Sequence, residues 1–395
     1  MKNSGRLAIV GAGPIGVEAA LRGVEEGYDV AIYEAGRVGE HLRRWEHVPM
    51  FSPWRLNRST RGERRLQRRG LELAPDDACP TAREYRRQYL QPLANSLRDE
   101  VEFHLITRVL GISRTETLKG DWIGDDRRAS SPFLLRLQTP EEIHFQEADI
   151  VIDASGVLSQ PNALGPGGLP AIGEDKLNGQ IMRQIPDLDG EDHRAQLRGQ
   201  RVLLVGHGHS ALTTLDLLRE LRRRQPSTEV VWAFRAHGEP RDVIDDDPLA
   251  ERARLDRFGN TAARGEVDGI EPLSEATVRR LEEREEGIEV TLEQAGRART
   301  VVVDRVVANV GYRPDISLSR ELQIHLCYAS DGPMNLAASL LSASGGDCLD
   351  QPSGGAETLE NPEPNFYILG AKSYGRNPNF LLQTGFQQLD TIFKR

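Results

Sequence analysis

Short apolar runs ending in glycine alternate with helical patterns along much of the chain. Arg6-Leu7-Ala8-Ile9-Val10 reads as a buried strand, Val17 to Glu26 as a helix ended by Gly27, and Asp29 to Tyr33 as a second strand. Val101 to His104, Thr107 to Thr115, Pro132 to Gln138 and Glu142 to Phe145 carry strand patterns, the last two alternating like a meander. Asp149 to Asp153, Gln200 to Val205, Glu229 to Phe234, Val306 to Val310 and Asn365 to Leu369 predict further strands, with helices over Leu212 to Leu221 and Leu382 to Phe393. Strands separated by helices predict an α/β fold with parallel sheets. Gly120 to Ser131 is polar, and Cys327 to Pro364 lacks periodicity. Met334 to Leu341 predicts one short helix there. Ser342 to Pro364 reads as a mobile insertion, a substrate lid or a plain loop, within a segment of about 330–364.

Two glycine turns punctuate this pattern. Gly11-Ala12-Gly13-Pro14-Ile15-Gly16 follows the first strand, and Glu34 stands at the end of the next, 18 residues after Gly16. Strand, G-x-G-x-x-G, helix, strand and acid in that order form a dinucleotide fingerprint. Gly11 permits the turn, Gly13 the approach of a pyrophosphate, and Gly16 the packing of helix on strand. Glu34, followed by Ala35, suits a ribose with free hydroxyls, as in FAD or NAD. The second turn, Gly206-His207-Gly208-His209-Ser210-Ala211, begins 195 residues after the first, with Ala211 as the small packing residue. Arg235 replaces the acid and suits a 2′-phosphate, hence NADPH, with Arg241 as a second contact. His207 and His209 have no third ligand nearby, so no metal is expected. Asp245-Asp246-Asp247 reads as a solvated acidic loop before Pro248.

Composition narrows the class. The 395 residues predict two or three domains. The net charge of −10 argues against a nucleic-acid binder, and no apolar run reaches the ~18 residues a membrane helix needs. Only five of the 50 basic residues are Lys, a composition bias rather than 45 functional arginines. Cys79, Cys327 and Cys348 are too scattered for a disulfide framework, which predicts a reducing, cytoplasmic location. An internal dithiol is not expected, Cys327 with Cys348 being the one conceivable pair.

Together these features resemble the flavoproteins with two dinucleotide-binding domains: class B flavin-containing and N-hydroxylating monooxygenases and thioredoxin reductase. The resemblance implies two Rossmann-like domains of three-layer ββα build, the FAD domain carrying a nested NADPH domain. The expected boundaries are 1–160 and 306–395 for the FAD domain and 161–305 for the NADPH domain. By the same resemblance Asp153-Ala154-Ser155-Gly156 contacts FAD at the outward crossing, and Asn309 to Pro314 makes the return. Gly370-Ala371 and the helix start Leu382-Gln383-Thr384-Gly385 complete the FAD site. The chain departs from the pattern where Ala371 replaces an Asp, where Gly39-Glu40 replaces Gly-Gly, and where Arg183 replaces a His.

The implied activity is oxidoreduction, with NADPH reducing FAD and O2 adding to the flavin as a peroxide that oxygenates a small molecule. Asn57, by its match to a class B segment, stands beside the flavin and holds the peroxide, or else it caps the Arg-rich helix that follows. Arg183 orients the nicotinamide or substrate. Trp54, Arg55, Lys372, Tyr374 and Arg376 are candidate substrate contacts, against core packing or surface loop for each. Alternatives are a reductase or dehydrogenase of the same fold and a non-catalytic nucleotide-binding protein. A homo-oligomer is compatible with all of these.

Overall fold

The computed structural model describes residues 5–342, 349 and 355–394, so Cys348 and part of the expected insertion, 343–348 and 350–354, lie outside the described residues. The chain divides into two compact units, Met1–Gln160 with Tyr312–Arg395, and Pro161–Gly311. Among the described residues no helix is long and apolar enough to cross a membrane.

The first unit is built on five parallel strands in the order Phe366–Ile368, Ile150–Asp153, Arg6–Val10, Asp29–Glu34 and Val101–Leu105. Both faces are covered, which explains why the inner strands carry the unbroken apolar runs Leu7–Val10, Val30–Tyr33 and Ile150–Ile152, whereas the edge strand Val101–Leu105 alternates. Leu7 and Ile9 point into a core shared with the helices Pro14–Glu26 and Leu382–Ile392. Ala8 and Val10 point into the opposite core, against an antiparallel meander of Arg108–Arg114, Phe133–Gln138 and Ile143–Ala148. The result is a three-layer ββα sandwich.

Two loops differ from the sequence expectation. Glu363, inside the stretch read as mobile, is 1% exposed. Its Oε1 accepts from Arg114 Nε at 2.8 Å, and its Oε2 accepts from Arg128 Nη2 and the Gln323 amide, both at 2.8 Å. Arg128, inside the polar 120–131 loop, is fully buried and also donates to the Leu118 and Asp121 carbonyls. Polar composition misled here because the buried charges satisfy one another.

The second unit repeats the architecture. Its parallel sheet runs Ile270–Leu273, Glu229–Ala233, Arg201–Val205, Arg305–Ala308, Ile181–Met182. Helices His209–Arg224 and Ala250–Ala263 cover one face. A meander of Ala276–Arg284, Gly287–Gln294 and Arg297–Val303 covers the other. The strand Arg305–Ala308 belongs to this sheet, so the nested unit extends to Gly311 rather than ending at 305. Asp247 is not part of a solvated loop. Its side chain is 1% exposed, pairs with Arg252 Nη2 at 2.7 Å and accepts from the Leu249 amide.

Candidate functional site

In each unit the chain winds to one side of its first strand and then returns to the other. This creates a switch point at the carboxyl ends of two adjacent parallel strands, where open α/β sheets bind ligands. In the first unit it lies between Arg6–Val10 and Ile150–Asp153, with Val10 opposite Asp153. Gly11 follows Val10 with φ +100°, and a Cβ there would stand 2.8 Å from the Ala154 carbonyl oxygen. At Gly16 a Cβ would stand 1.9 Å from the Gly11 oxygen, whereas Gly13 faces open space. The turn is tight where chain meets chain and open where a phosphate would sit. Pro14 opens the helix, which has no side-chain cap, leaving its first-turn amides for an anion.

Glu34 is half-buried at the adjacent strand end. Its Oε2 accepts from the Ala12 amide at 2.8 Å and its Oε1 from the Gly36 amide at 2.7 Å. Burial raises its carboxyl above the ordinary value, and these two hydrogen bonds oppose the rise. Each oxygen keeps a lone pair for a hydroxyl. Ala35 is exposed beside it. Gly39, at φ +65°, donates its amide to the Ala12 oxygen and starts the short helix Glu40–Arg43, so Glu40 extends the same turn.

The C-terminal segment joins this site. Gly370 (φ +72°) and Gly385 both pack on Ile15, where added Cβ atoms would come within 3.1 and 2.4 Å of its side chain. The Gly370 amide donates to Gln388 Oε1 at 2.9 Å, and Gln388 Nε2 donates to Ser373 Oγ at 2.9 Å. The helix Leu382–Ile392, beginning Leu382-Gln383-Thr384-Gly385, also lacks a side-chain cap. Gln388 and Ser373, both fully buried, were not singled out from the sequence, since nothing in a polar pair 15 residues apart signals a contact.

Lys372 is not on a surface loop. It is 2% exposed, and its Nζ donates to Asp153 Oδ2 at 2.6 Å and Ser155 Oγ at 3.1 Å. Ser155 Oγ in turn donates to Asp153 Oδ1 at 2.6 Å, while Gly156 faces open space. Beside Ala371, where a carboxylate is missing, the chain places an ammonium already matched by Asp153. Tyr374 is buried edge-to-face against Phe380. Arg376 pairs with Asp331 at 2.6 Å.

Asn57 is 1% exposed on the turn Trp54–Asn57, which packs on the Leu382–Ile392 helix. Its Nδ2 donates to the carbonyls of Ser52 (2.8 Å) and Pro53 (3.0 Å), and its Oδ1 accepts from Ser52 Oγ. Both N–H groups are engaged, so the side chain holds this turn in shape. It does not cap the next helix, because Ser59 does. Trp54 is core, with Arg58 stacked 5.1 Å from its ring, and Arg55 is exposed, 3.5 Å from Asp77.

One turn into the fingerprint helix, Glu18 is buried and accepts from Ser59 Oγ and Tyr89 Oη. Burial dominates these hydrogen bonds and pushes its carboxyl up to about 7 from 4.5. The folded state therefore holds this proton where the unfolded chain releases it. Stability from this source is complete below pH 4.5 and is lost as pH rises through 7, a change of about 3 kcal/mol at most. Urea denaturation from pH 5 to 8 should show the loss, and Glu18→Gln should flatten it; parallel curves for both proteins would refute the assignment.

The second switch point lies between Arg201–Val205 and Arg305–Ala308. Gly206 (φ +123°) approaches Asn309 so closely that a Cβ would stand 2.2 Å from its oxygen, with Ala211 packed behind it, while Gly208 faces open space. Asn309 Oδ1 accepts from Thr214 at 2.6 Å. The helix that starts His209-Ser210 has no side-chain cap. Arg235 is exposed and makes no ion pair among the described residues. Burial, then Arg235 and Arg241, lowers the His207 imidazole, so it stays neutral in a positive setting. Arg241 is already paired with Asp256 at 2.7 Å, and His209 Nε2 lies 3.1 Å from the same carboxylate. Arg183 donates to Glu174 Oε1 at 2.8 Å and to the Asn162 carbonyl, fixing a loop of its own unit.

Solved structures share this fold at identities that establish the fold alone. Bacillithiol disulfide reductase Bdr (YpdA) from Bacillus cereus superposes with TM-score 0.69 at 17% identity, covering 99% of this chain and 98% of that one. Ornithine hydroxylase (PvdA) from Pseudomonas aeruginosa gives 0.64 at 15%, covering 99% and 98%. T. acidophilum thioredoxin reductase gives 0.60 at 14%, covering 98% and 97%. No curated protein matches the chain in sequence. A family model described as pyridine nucleotide-disulphide oxidoreductase matches residues 5–334.

Proposed function

Because the chain belongs to the pyridine nucleotide-disulphide oxidoreductase family, we propose that it is an NADPH-using FAD oxidoreductase whose acceptor is O2, one atom going to a small molecule and the other to water. The first unit fits FAD: the Gly11–Gly16 turn and the helix behind it take the pyrophosphate, Glu34 the ribose, and the segments at Ala154–Gly156, Gly370–Ala371 and Leu382–Gly385 the remainder. The second fits NADPH through Gly206–Ala211 and Arg235. Bound FAD would accept a hydride and pass two electrons onward.

The observation that carries the reading is that no cysteine stands at the first switch point among the described residues. The residues that meet there are Gly11, Ile15, Ala154, Ser155, Gly370, Lys372 and Gly385, and the three cysteines stand elsewhere in sequence, at 79, 327 and 348. With no dithiol in the fingerprint to receive electrons, the acceptor comes from solution. A second reading, reduction of a small acceptor without oxygenation, is favoured by Asn57, whose N–H groups are both engaged by backbone carbonyls.

Anaerobic reduction by NADPH followed by mixing with O2 in a stopped-flow spectrometer separates the two. Oxygenation is supported by a near-ultraviolet transient, distinct from oxidised and reduced flavin, whose decay quickens with substrate. Direct return to oxidised flavin with stoichiometric hydrogen peroxide overturns it in favour of the reductase. Protein that binds no flavin overturns both and leaves a nucleotide-binding role. Separately, Arg235→Gln is expected to raise KM for NADPH about 10–100-fold, the worth of one charge-assisted phosphate contact, and to leave KM for NADH unchanged.

A further inference from the structure

The Thr60–Arg68 helix borders a cavity of about 380 Å³ lined by five arginines: Arg61, Arg64, Arg65, Arg68 and Arg69. Its only acidic lining residues are Glu25 and Glu100. These two are already matched, because Arg61 Nη1 donates to Glu25 Oε2 at 2.6 Å and Arg65 pairs with Glu100. Arg64, Arg68 and Arg69 are exposed, and their guanidinium groups make no hydrogen bond or ion pair among the described residues. Three positive charges thus stand uncompensated around one concavity, on a chain whose net charge is −10.

A solvated helix face would scatter these charges, and this one gathers them. Arg61 and Arg65 are each matched by a carboxylate, but Arg64 with Arg68 is an unmatched pair of like charges one turn apart, a spacing that is mildly unfavourable and that a shared anion would relieve. The floor is also rigid. Ser59 caps the helix, Leu66 is buried, and a Cβ on Gly62 would stand 2.0 Å from Tyr89 Oη. Arg65 is held by three donations, Nε to Ser96 Oγ at 2.8 Å, Nη2 to the Ser96 carbonyl at 2.6 Å, and Nη2 to Glu100. Of the lining arginines Arg65 is thus ordered beforehand, and that part of the binding cost is already met. Arginine forks pair with phosphoryl oxygens two at a time, and the volume is that of a small-molecule site.

We propose that this cavity binds a small polyanion bearing two or three linked phosphoryl groups, at a site separate from both dinucleotide fingerprints. The test is titration calorimetry of the flavin-loaded protein, with saturating NADP⁺ to occupy the fingerprints. Inorganic tripolyphosphate and ATP serve as probes, and sulfate at matched ionic strength as the control. Tripolyphosphate should bind at one site, and Arg64→Gln/Arg68→Gln/Arg69→Gln should weaken it about 30-fold while leaving flavin content and melting temperature unchanged. ATP binding more tightly than tripolyphosphate would mark the ligand as a nucleotide, and equal affinity would mark the phosphates as sufficient. The proposal is overturned by no binding, by equal affinity in the triple variant, or by equal displacement with sulfate.

Discussion

Glu363→Gln is expected to destabilise the first unit by about 3–5 kcal/mol, the range for removing one partner from a buried ion pair. The Arg114 and Arg128 side chains flanking it are both fully buried. Arg114 lies 3.6 Å from the Phe133 ring centroid and donates to the Ser131 carbonyl, so neither guanidinium can swing into water without unpacking the meander. Removing the carboxylate leaves two desolvated cations facing each other. Total stability of a typical domain is only about 5–15 kcal/mol, so the variant should unfold at markedly lower urea concentration with an unchanged slope. Glu363→Asp, which keeps the charge but shortens the reach, should fall between. A loss under about 1 kcal/mol would mean that water reaches the cluster in solution.

Lys372→Met should produce a loss of similar size for the opposite reason, since it strands an anion. Asp153 is 0% exposed, and without the ammonium its remaining partners are the Ser155 hydroxyl and amide. The double variant Asp153→Asn/Lys372→Met removes both charges, and most of the lost stability should return, because a buried pair contributes little net free energy over neutral replacements. Denaturation of the four proteins as a double-mutant cycle gives the coupling. Flavin content of the same samples shows whether the ends of the Ile150–Asp153 and Phe366–Ile368 strands must be tied together for cofactor retention. Additive losses would exclude the pair as a unit.

Much of the architecture is legible in the sequence because it rests on local signals. The strands Arg6–Val10 and Arg201–Val205 are apolar throughout because both faces are covered, and the glycines after them are demanded by positive φ and by close approach to Ala154 and Asn309. The fingerprint helices begin three residues earlier than apolar periodicity suggests, at Pro14 and His209, because each continues directly from its glycine turn. What stays hidden is pairing across distance. Lys372 with Asp153, Glu363 with two arginines, and Asp247 with Arg252 all sit in polar stretches that read as solvent-facing. Composition cannot distinguish a charge that is hydrated from one that is matched. Asn57 shows the same limit within a site, since its identity was readable but the carbonyls that occupy its amide were not.

The nested unit starts and finishes at one place: the Asn162 amide donates to the Gly311 carbonyl at 3.0 Å. The surrounding unit closes in the same way, Arg313 donating to the Gln160 carbonyl at 2.9 Å. Each half of the molecule is thus a cassette with its own closed seam. Residues 161–311 can be cut out with both ends already juxtaposed, and the gap left behind can be rejoined by a handful of residues at little entropic cost. Exchange of such a cassette would leave the host's own sheet intact, because neither sheet borrows a strand from the other unit.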